Sequence, residues 1–207
     1  MLPYFYLLCC IFRNGEDSMS KVQNVILSHY DEDQKLYSYL MHHSQAVAKK
    51  AINIGQKIDE NVDIKFLKEA ALLHDIGIYK TDLPELNCYG KQPYIRHGII
   101  GKKILEEENL PEYGKVCERH IGVGISEKDI LKQNLPLPNR NMEPKTIEEK
   151  IITYADLFYS KNKNKLNKEQ SIPEIEGKLS KLGSIKVNIF RKWLHQFENK
   201  RMKFLKT

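Results

Sequence analysis

A helical segment that ends in two ionisable side chains constrains this chain most. Residues 63–75 repeat apolar side chains at the period of an α-helix, with Asp63 as the predicted N-cap and Gly77 as the predicted C-terminal stop. The segment ends in His74 and Asp75, and ionisable groups are costly to bury unless they are paired or bind a metal. Consecutive helix residues point about 100° apart, so these two side chains need partners from other parts of the chain.

The rest of the sequence also predicts helices, which are joined by short loops. The helical period recurs in the segments 21–30, 34–57, 97–108, 112–120, 146–160 and 172–204. Thr146 and Glu149 predict a capping box, and Gly183 predicts a break in the last segment. Residues 78–96 and the stretch LPLPNRNMEP are predicted loops, and no segment shows a strand pattern, a repeat or a second domain. The sequence therefore predicts an all-α fold, a single-domain helical bundle.

The composition fits one domain with a well-solvated surface. A chain of 207 residues with 41% apolar residues is long enough to bury a core. The net charge of +6 attracts phosphate-bearing molecules in general. The sequence contains no long basic stripe with interleaved aromatic residues, so the charge does not by itself indicate binding to a nucleic acid. The four cysteines form no CxxC pair, and we predict free thiols in a reducing cytoplasm.

The N-terminal residues differ from the rest of the chain. Their apolar run, 2–12, is shorter than the roughly 20 residues that span a membrane, and Arg13 follows the run instead of preceding it as in a signal peptide. We predict that residues 1–18 are a disordered extension or reflect a start codon assigned too early, with a membrane-surface anchor as the alternative. The predicted domain then covers residues 19–165, and residues 166–207 are a helical extension packed on it.

Four further residues are candidate partners for the His-Asp pair. His43 and Asp156 each lie on an otherwise apolar helix face, and His97 and His120 lie at predicted helix ends. Taken singly, such a histidine is most simply a hydrogen-bonded core residue, and such an aspartate is a cap or an ion-pair partner. The order His…His-Asp…His…His…Asp on successive helices favours a shared metal site. Imidazole and carboxylate donors together suit Mn, Fe, Co, Ni or Zn more than Ca.

In these segments the sequence resembles the HD-domain phosphohydrolases, an all-helical, metal-dependent superfamily whose name-giving motif is HDIG. The resemblance covers residues 36–160 and rests on HHSQAVAKKA, ALLHDIG, YIRHGIIG, CERHIGVG and EEKIITYADLF. It is greatest for the small single-domain HDIG hydrolases, and the layout is similar to the branch that cleaves symmetrical dinucleoside tetraphosphates. Some cyclic-dinucleotide phosphodiesterases have two consecutive histidines where this chain has His120 and Ile121, which argues against that substrate class.

The resemblance implies a role for each candidate ligand. The residues that match the family's first metal site are His43, His74, Asp75 and Asp156. The residues that match a second metal site in some branches are His97 and His120, with Asp75 as the bridge between the two. The implied cofactor is one or two divalent metal ions, with Mn, Fe, Co or Ni favoured over Mg or Zn.

Asp75 and three basic residues are candidates for the chemistry itself. We predict that Asp75 orients or deprotonates the attacking water and that Lys80 reaches a phosphate oxygen, although Lys80 fits a solvated loop equally well. Arg96 and Arg119 each precede a candidate ligand, and a guanidinium there would bind a phosphate group bidentately. Neighbouring helix positions diverge, so either arginine can also point outward.

The predicted function is metal-dependent hydrolysis of a phosphoester or phosphoanhydride in a nucleotide-like or other small phosphorylated substrate. The alternative is a regulatory, nucleotide-sensing domain with a structural metal site and no turnover. Retention of all six candidate ligands favours the enzyme. We expect no nucleic acid partner and no stable membrane insertion, a cytoplasmic location, and a possible homodimer through the apolar face of the C-terminal helices.

Overall fold

The computed structural model describes residues 16–31, 34–159 and 168–198, with side chains from residue 21 onwards. The extension predicted over residues 1–18 lies outside this range up to residue 15, and its last three residues begin the first helix. The stretches 166–167 and 199–207 of the predicted C-terminal extension also lie outside the described residues.

The described part of the chain is mostly helical, as the sequence predicts. Its helices are α1 (Glu16–His29), α2 (Lys35–Gly55), α3 (Ile64–Leu73), α4 (His97–Glu107), α5 (Pro111–Arg119), α6 (Glu127–Gln133), α7 (Ile147–Asp156), α8 (Ile172–Ser180) and α9 (Ser184–Glu198). Asp63 caps α3 as predicted, because its carboxylate accepts the Phe66 N–H at 2.8 Å. Gly183, with a φ of +120°, separates α8 from α9, where the sequence predicts a break.

Helices α2 and α3 take part in both of the large buried clusters. One cluster joins them to α7, α8 and α9, and the other joins them to α1, α4 and α5. On α2, Leu40 packs in the second cluster and Val47 packs in the first. His43 lies between these two residues and is only 2% exposed. The packing of two apolar clusters against one helix therefore places a polar side chain deep inside the fold.

A small sheet interrupts the helices and corrects the prediction of a plain loop. Strands β1 (Thr81–Leu83), β2 (Cys88–Tyr89) and β3 (Gln92–Pro93) pair in the order β2-β1-β3, with β1 antiparallel to β2 and parallel to β3. Asn87, with a φ of 59°, makes the turn before β2. Strands of two or three residues are too short for the alternation that identifies a strand in sequence, which is why the prediction of no strands was wrong here.

Helix α6 is a second element that the sequence analysis did not predict. Ser126 and Asp129 form a capping box at its start, and the ammonium group of Lys186 on α9 donates to Asp129 Oδ2 at 2.6 Å and to the Gly124 carbonyl at 2.8 Å. The stretch LPLPNRNMEP that follows is largely irregular, as predicted, and returns to α6 through a bridge between Ile125 and Met142. The segment 125–142 is therefore a loop with a short helix, whose two ends pair with one another and which contacts α9 through Lys186.

The ends of α7 differ in part from the prediction. Thr146 caps the helix, since its hydroxyl accepts the Glu149 N–H at 3.2 Å. The Glu149 carboxylate accepts the N–H of Lys145 at 2.6 Å, so the reciprocal half of the predicted capping box is made with the preceding residue. The helix ends at Asp156 and not near residue 160. No helix in the described ranges has the length and the apolar character needed to cross a bilayer.

Candidate metal centre

The turn after α3 directs two neighbouring side chains into one place. Helix α3 ends at Leu73, slightly earlier than predicted, and His74 and Asp75 stand in the turn that follows. The turn is held by backbone hydrogen bonds at 3.0 Å from Ile76 N–H to Leu73 O and from Ile78 N–H to Asp75 O. His74 keeps helical backbone angles, with a φ of −56° and a ψ of −29°, so its side chain and that of Asp75 reach the same group of residues from different directions.

The structure brings all six predicted ligands into one cluster, which has two halves. In the first half, His43 Nε2 lies 2.9 Å from Asp156 Oδ1 and 3.4 Å from Asp75 Oδ2. His74 Nε2 lies 3.5 Å from each of the same two carboxylate oxygens. Donors from α2, the turn after α3, and α7 therefore meet around a single point.

The second half lies on the other side of the Asp75 carboxylate. His97 Nε2 and His120 Nε2 each lie 3.4 Å from Asp75 Oδ1 and 3.1 Å from one another. Each oxygen of one carboxylate thus faces its own pair of imidazole nitrogens. A carboxylate in this position can bridge two metal ions.

Backbone carbonyl groups fix the orientation of three of the imidazole rings. The Nδ1 atoms of His74, His97 and His120 lie 2.7–2.8 Å from the carbonyl oxygens of Ala71, Tyr94 and Cys117, each three residues earlier. A carbonyl oxygen only accepts hydrogen bonds, so Nδ1 carries the proton and donates it. In the neutral ring Nε2 then carries no proton and its lone pair is directed at the cluster, which is the tautomer that a metal ligand requires.

The spacing of the donor atoms fits a metal centre. Two ligand atoms bound at about 2.1 Å to one metal ion lie about 3.0–3.4 Å apart in octahedral or tetrahedral geometry, and the separations here are 2.9–3.5 Å. In two overlapping groups, each residue offers one donor atom and these atoms all lie within 4.8 Å of one another. The groups are His43-His74-Asp156 and His74-Asp75-His120. The residues present therefore fit one or two divalent ions.

Burial separates Asp156 from the other ligands. Its side chain is 12% exposed, while those of the five other candidate ligands are at most 2% exposed. Among the six candidate ligands, Asp156 at the C-terminal end of α7 is therefore the one whose side chain is partly open to solvent. Carboxylates buried to this degree need compensating positive charge, which divalent ions would supply.

Glycines bring the two halves together by allowing close backbone contact. A Cβ atom on Gly77 would lie 2.3 Å from the His97 carbonyl oxygen and 2.5 Å from the Gly101 nitrogen. A Cβ atom on Gly98 would lie 2.4 Å from the Cys117 carbonyl oxygen. Gly77 has an ordinary φ of −82°, so the prediction that it terminates the helix was wrong. Its role is to let α4 approach the turn that carries His74 and Asp75.

A buried thiol lies behind the second half of the cluster. Cys117 is fully buried, and its thiol donates to the Leu73 carbonyl at 3.3 Å. Burial, and after it the charge of Asp75, raises the pKa of Cys117 well above its usual value, so the group stays protonated. Cys88 is also a free, buried thiol. Both agree with the predicted free thiols, while Cys9 and Cys10 lie outside the described residues.

The predicted basic residues lie differently from the ligands. Lys80 is exposed, and its ammonium group lies 5.4 Å from the ring centre of Tyr79, with no ion pair to the cluster among the described residues. Arg96 precedes His97 and is half-buried, and its Nη1 donates to the Pro136 carbonyl at 2.9 Å. The structure does not bring Lys80 into the cluster.

Arg119 and its neighbour Glu118 are engaged in ion pairs. Arg119 Nη1 lies 2.6 Å from Glu149 Oε1, and the Glu149 side chain is 4% exposed. Glu118, which is 5% exposed, accepts hydrogen bonds from Lys102 at 3.2 Å and from Arg140. The burial of Glu118 and Glu149 was not predicted, because a glutamate within a charged helix does not reveal its burial in the sequence.

Comparison with known sequences identifies the family. The sequence model of the HD domain matches residues 40–160, and the chain belongs to the HD domain family. HD domains bind divalent metal ions, and the histidine and aspartate groups described above could hold such an ion.

Three relatives are longer than the region they share with this chain. Two are named tRNA (cytidine(56)-2'-O)-methyltransferase: that of Thermoplasma volcanium is 35% identical over 60% of this chain and 33% of its own length, and that of Picrophilus torridus is 32% identical over 72% of this chain and 41% of its own length. An uncharacterized protein of Methanocaldococcus jannaschii is 34% identical over 56% of this chain and 64% of its own length. The chain thus spans between one third and just under two thirds of these relatives.

A solved structure is also similar. The crystal structure of the HD domain of the L. monocytogenes phosphodiesterase PgpH superposes with a TM-score of 0.48 at 19% sequence identity, covering 84% of this chain and 94% of that chain.

Proposed function

We propose that this chain is a metal-dependent phosphohydrolase that cleaves a phosphoester or phosphoanhydride of a nucleotide-like or other small phosphorylated substrate. The observation that carries the proposal is the position of Asp75, whose Oδ2 faces His43 and His74 while its Oδ1 faces His97 and His120. Two divalent ions in such a site would act as Lewis acids on a phosphoryl oxygen and lower the pKa of water. Membership of the HD domain family supports the same class of chemistry.

The side chains of the cluster have distinct tasks in this proposal. The histidines bind metal through Nε2, since the Nδ1–H groups of His74, His97 and His120 are directed at backbone carbonyls. Asp75 holds the two halves at a fixed separation and orients the water that attacks phosphorus. Asp156, the most exposed of the ligands, lies where the substrate meets the centre.

The roles of the basic residues are narrower than the sequence suggests. Arg119 is paired with Glu149 and Arg96 with the Pro136 carbonyl, yet the Nε atoms of both guanidinium groups are buried and make no hydrogen bond within the described residues. A phosphate oxygen would supply the missing acceptor. We retain both arginines as candidate substrate-binding residues. Lys80 is exposed beside Tyr79. We retain it as a candidate only for a substrate that extends from the cluster to Lys80.

The methyltransferase name of two relatives is not transferred to this chain. The chain covers 33% and 41% of those proteins, so an activity of the whole protein can lie in the part that has no counterpart here. A cluster of imidazoles and carboxylates is suited to binding divalent cations. The name of these relatives does make tRNA, which contains phosphodiesters, a substrate to test. The assay below therefore includes tRNA.

A substrate panel tests the proposal. The purified protein, Asp75→Ala and Asp82→Ala are each incubated with Mn²⁺, Fe²⁺, Co²⁺ or Ni²⁺ and with nucleotides, dinucleoside polyphosphates, cyclic dinucleotides and tRNA. Phosphate release or product formation is followed by chromatography. Asp82 is exposed on β1 and is a matched control, because the same substitution there leaves the cluster intact.

We expect turnover with at least one metal by the wild type and by Asp82→Ala, and none by Asp75→Ala. An active, metal-loaded Asp75→Ala protein contradicts the assignment. Tight nucleotide binding without turnover under every metal supports the alternative, a nucleotide-sensing domain with a structural metal site.

A further inference from the structure

The end of helix α1 contacts the metal-ligand turn from outside the family region. Residues 40–160 match the HD domain, and α1 ends at His29. The next residue, Tyr30, is 4% exposed, and its hydroxyl donates to the Ile76 carbonyl at 2.7 Å. Ile76 directly follows Asp75, so this hydrogen bond holds the carbonyl group of the residue next to the bridging carboxylate.

Tyr30 is held in place by burial and by a neighbouring ring. Burial raises the pKa of Tyr30 well above its usual value, so the hydroxyl keeps the proton that it donates to Ile76. The ring of Tyr30 packs edge-on against that of Tyr79, with centroids 5.2 Å apart. Tyr30 thus contacts both ends of the turn, at Ile76 and at Tyr79.

His29 extends the contact to the helix that begins at His97. Its Nδ1 lies 3.1 Å from the Tyr79 hydroxyl, and its Nε2 lies 3.4 Å from a carboxylate oxygen of Glu108, the residue after α4. The last residue of α1 therefore connects the turn that carries the first-half ligands with the helix that carries a second-half ligand. We call His29 and Tyr30 the α1 brace.

The bridging position of Asp75 makes the orientation of its backbone important. Its two oxygens must lie 3.4–3.5 Å from nitrogens on opposite sides at the same time. A rotation that moves Oδ2 towards His43 moves Oδ1 away from His97 and His120. The second half has only two ligands of its own, so it depends on Asp75 more than the first half does.

We propose that Tyr30 is a positioning residue for Asp75. The Tyr30 hydroxyl holds the Ile76 carbonyl, which keeps the Asp75 carboxylate in contact with both halves. This positioning strengthens binding of the second metal ion. The inference rests on the proposed function of the cluster. Hydrogen-bond partners behind metal ligands typically contribute about 10–100-fold to metal affinity. We expect about tenfold weaker binding of the second ion when the Tyr30 hydroxyl is removed.

The test compares two tyrosine-to-phenylalanine substitutions in the full chain. Tyr30→Phe keeps the ring in place and removes the hydroxyl. Tyr113→Phe is the matched control, because the Tyr113 hydroxyl also makes one interhelical hydrogen bond, to Glu69 Oε2 at 2.5 Å, without touching the turn. Mn²⁺ binding is measured by calorimetry and by electron paramagnetic resonance of free Mn²⁺, with unfolding temperatures recorded for the metal-free proteins.

We expect Tyr30→Phe to bind its first ion as the wild type does and its second about tenfold more weakly, and we expect excess Mn²⁺ to restore any lost turnover. Tyr113→Phe should keep both affinities even if both variants lose similar stability. Equal Mn²⁺ binding by wild type and Tyr30→Phe overturns the proposal, as does an equal loss in Tyr113→Phe. A wild type that binds no Mn²⁺ overturns the proposed function itself.

A second variant covers the case in which Tyr30→Phe does not fold. His29→Phe keeps a ring against Tyr79 and removes the contacts with the Tyr79 hydroxyl and Glu108. We expect His29→Phe to weaken binding of the second ion several-fold. If a folded His29→Phe protein binds both ions as the wild type does, the α1 brace has no role in the metal centre.

Discussion

The two halves of the candidate metal centre are built in different ways. The first half joins α2, the turn after α3, and α7, and its residues His43 and Asp156 are far apart in the sequence. The second half joins His97 and His120, only 23 positions apart, on two helices that pack through Gly98 and Gly101. The first half depends on assembly of the whole bundle, whereas the two histidines of the second half are brought together by one tightly packed helix pair.

The number of donors also differs between the halves. Asp75 serves both, but the first half adds His43, His74 and Asp156 while the second adds only two histidines. The first half therefore has four candidate donors and the second has three. Loss of one donor leaves three in the first half and two in the second. The comparison teaches that the second ion is the more easily lost, and the following predictions test this difference.

Among the substitutions that distinguish the two halves, His120→Ala is expected to have the largest effect. Removal of this ligand leaves His97 and Asp75 for the second ion, and two donors do not hold a divalent ion against water in a site of this type. We expect metal content to fall from two ions per chain to one, measured by inductively coupled plasma mass spectrometry after dialysis. His195→Ala, at an exposed position on α9, is the control and should keep both ions. Two retained ions in His120→Ala would show that the second half is not a metal site.

His43→Ala should have a smaller effect on metal content. The first half still has His74, Asp75 and Asp156 after this change, and three protein donors are enough for an open metal site. We expect two ions at saturating Mn²⁺ and a dissociation constant for the first-half ion raised about 10–100-fold, measured by calorimetry. Complete loss of one ion at saturation would remove the distinction between the halves.

Gly77→Ala tests the contact that joins the halves. The new methyl group would meet the His97 carbonyl and the Gly101 nitrogen at 2.3 and 2.5 Å, so the turn and α4 must separate. We expect a loss of about 1–3 kcal/mol in the free energy of unfolding, as for other overpacked sites, and weaker metal binding in both halves. Urea denaturation followed by circular dichroism measures the first effect.

Gly177→Ala is the control for this substitution. A Cβ atom at Gly177 on α8 meets nothing within 4 Å, and alanine stabilises a helix interior by roughly 0.5–1 kcal/mol relative to glycine. The control should therefore be neutral or slightly stabilising. If both variants unfold at the same urea concentration, the close approach at Gly77 is not what holds the halves together.

The smallest effect concerns a contact that includes none of the candidate ligands. Burial raises the pKa of Asp129, but hydrogen bonds from Lys186 and Ser126 outweigh it and lower the pKa from 3.8 to about 2. A folded-state pKa below the unfolded one stabilises the fold above the unfolded pKa, and this contribution is lost as the pH falls from about 4 towards 2. Asp129→Asn should lose less stability than the wild type between pH 7 and pH 3.

The expected difference is about 0.5 kcal/mol, because the ion pair is partly exposed and screened. Urea denaturation at the two pH values measures it, and metal content at pH 7 should be the same in both proteins. A change in metal content in Asp129→Asn would mean that the segment 125–142 is coupled to the metal centre.

Much of the helical fold could be predicted from the sequence because its signals are local. Asp63 caps α3 and Gly183 separates α8 from α9, as the residue types indicate. Helix α6 has a local signal too, the Ser126-Asp129 capping box, which the apolar pattern did not support over seven residues. The strands of β1–β3 are too short to show any period.

The candidate site could be predicted as a set of residues but not as an arrangement. The ionisable side chains stand out because they interrupt apolar helices, as His74 and Asp75 do after Leu73. The role predicted for Gly77 was wrong. Close contact between distant backbone segments has no signal in the sequence other than the glycine itself. The hydrogen bond from Tyr30 to Ile76 spans 46 positions, and only the folded chain shows it. The metal-binding role of the six residues stays a prediction.

The most direct measurement is the metal content of anaerobically purified wild-type protein beside Asp75→Ala. Since one carboxylate faces both halves, we predict two divalent ions per wild-type chain. Asp75→Ala should lose the second-half ion and bind the first-half ion more weakly, through His43, His74 and Asp156. A wild type without metal, or an Asp75→Ala protein that keeps two tightly bound ions, would contradict the account.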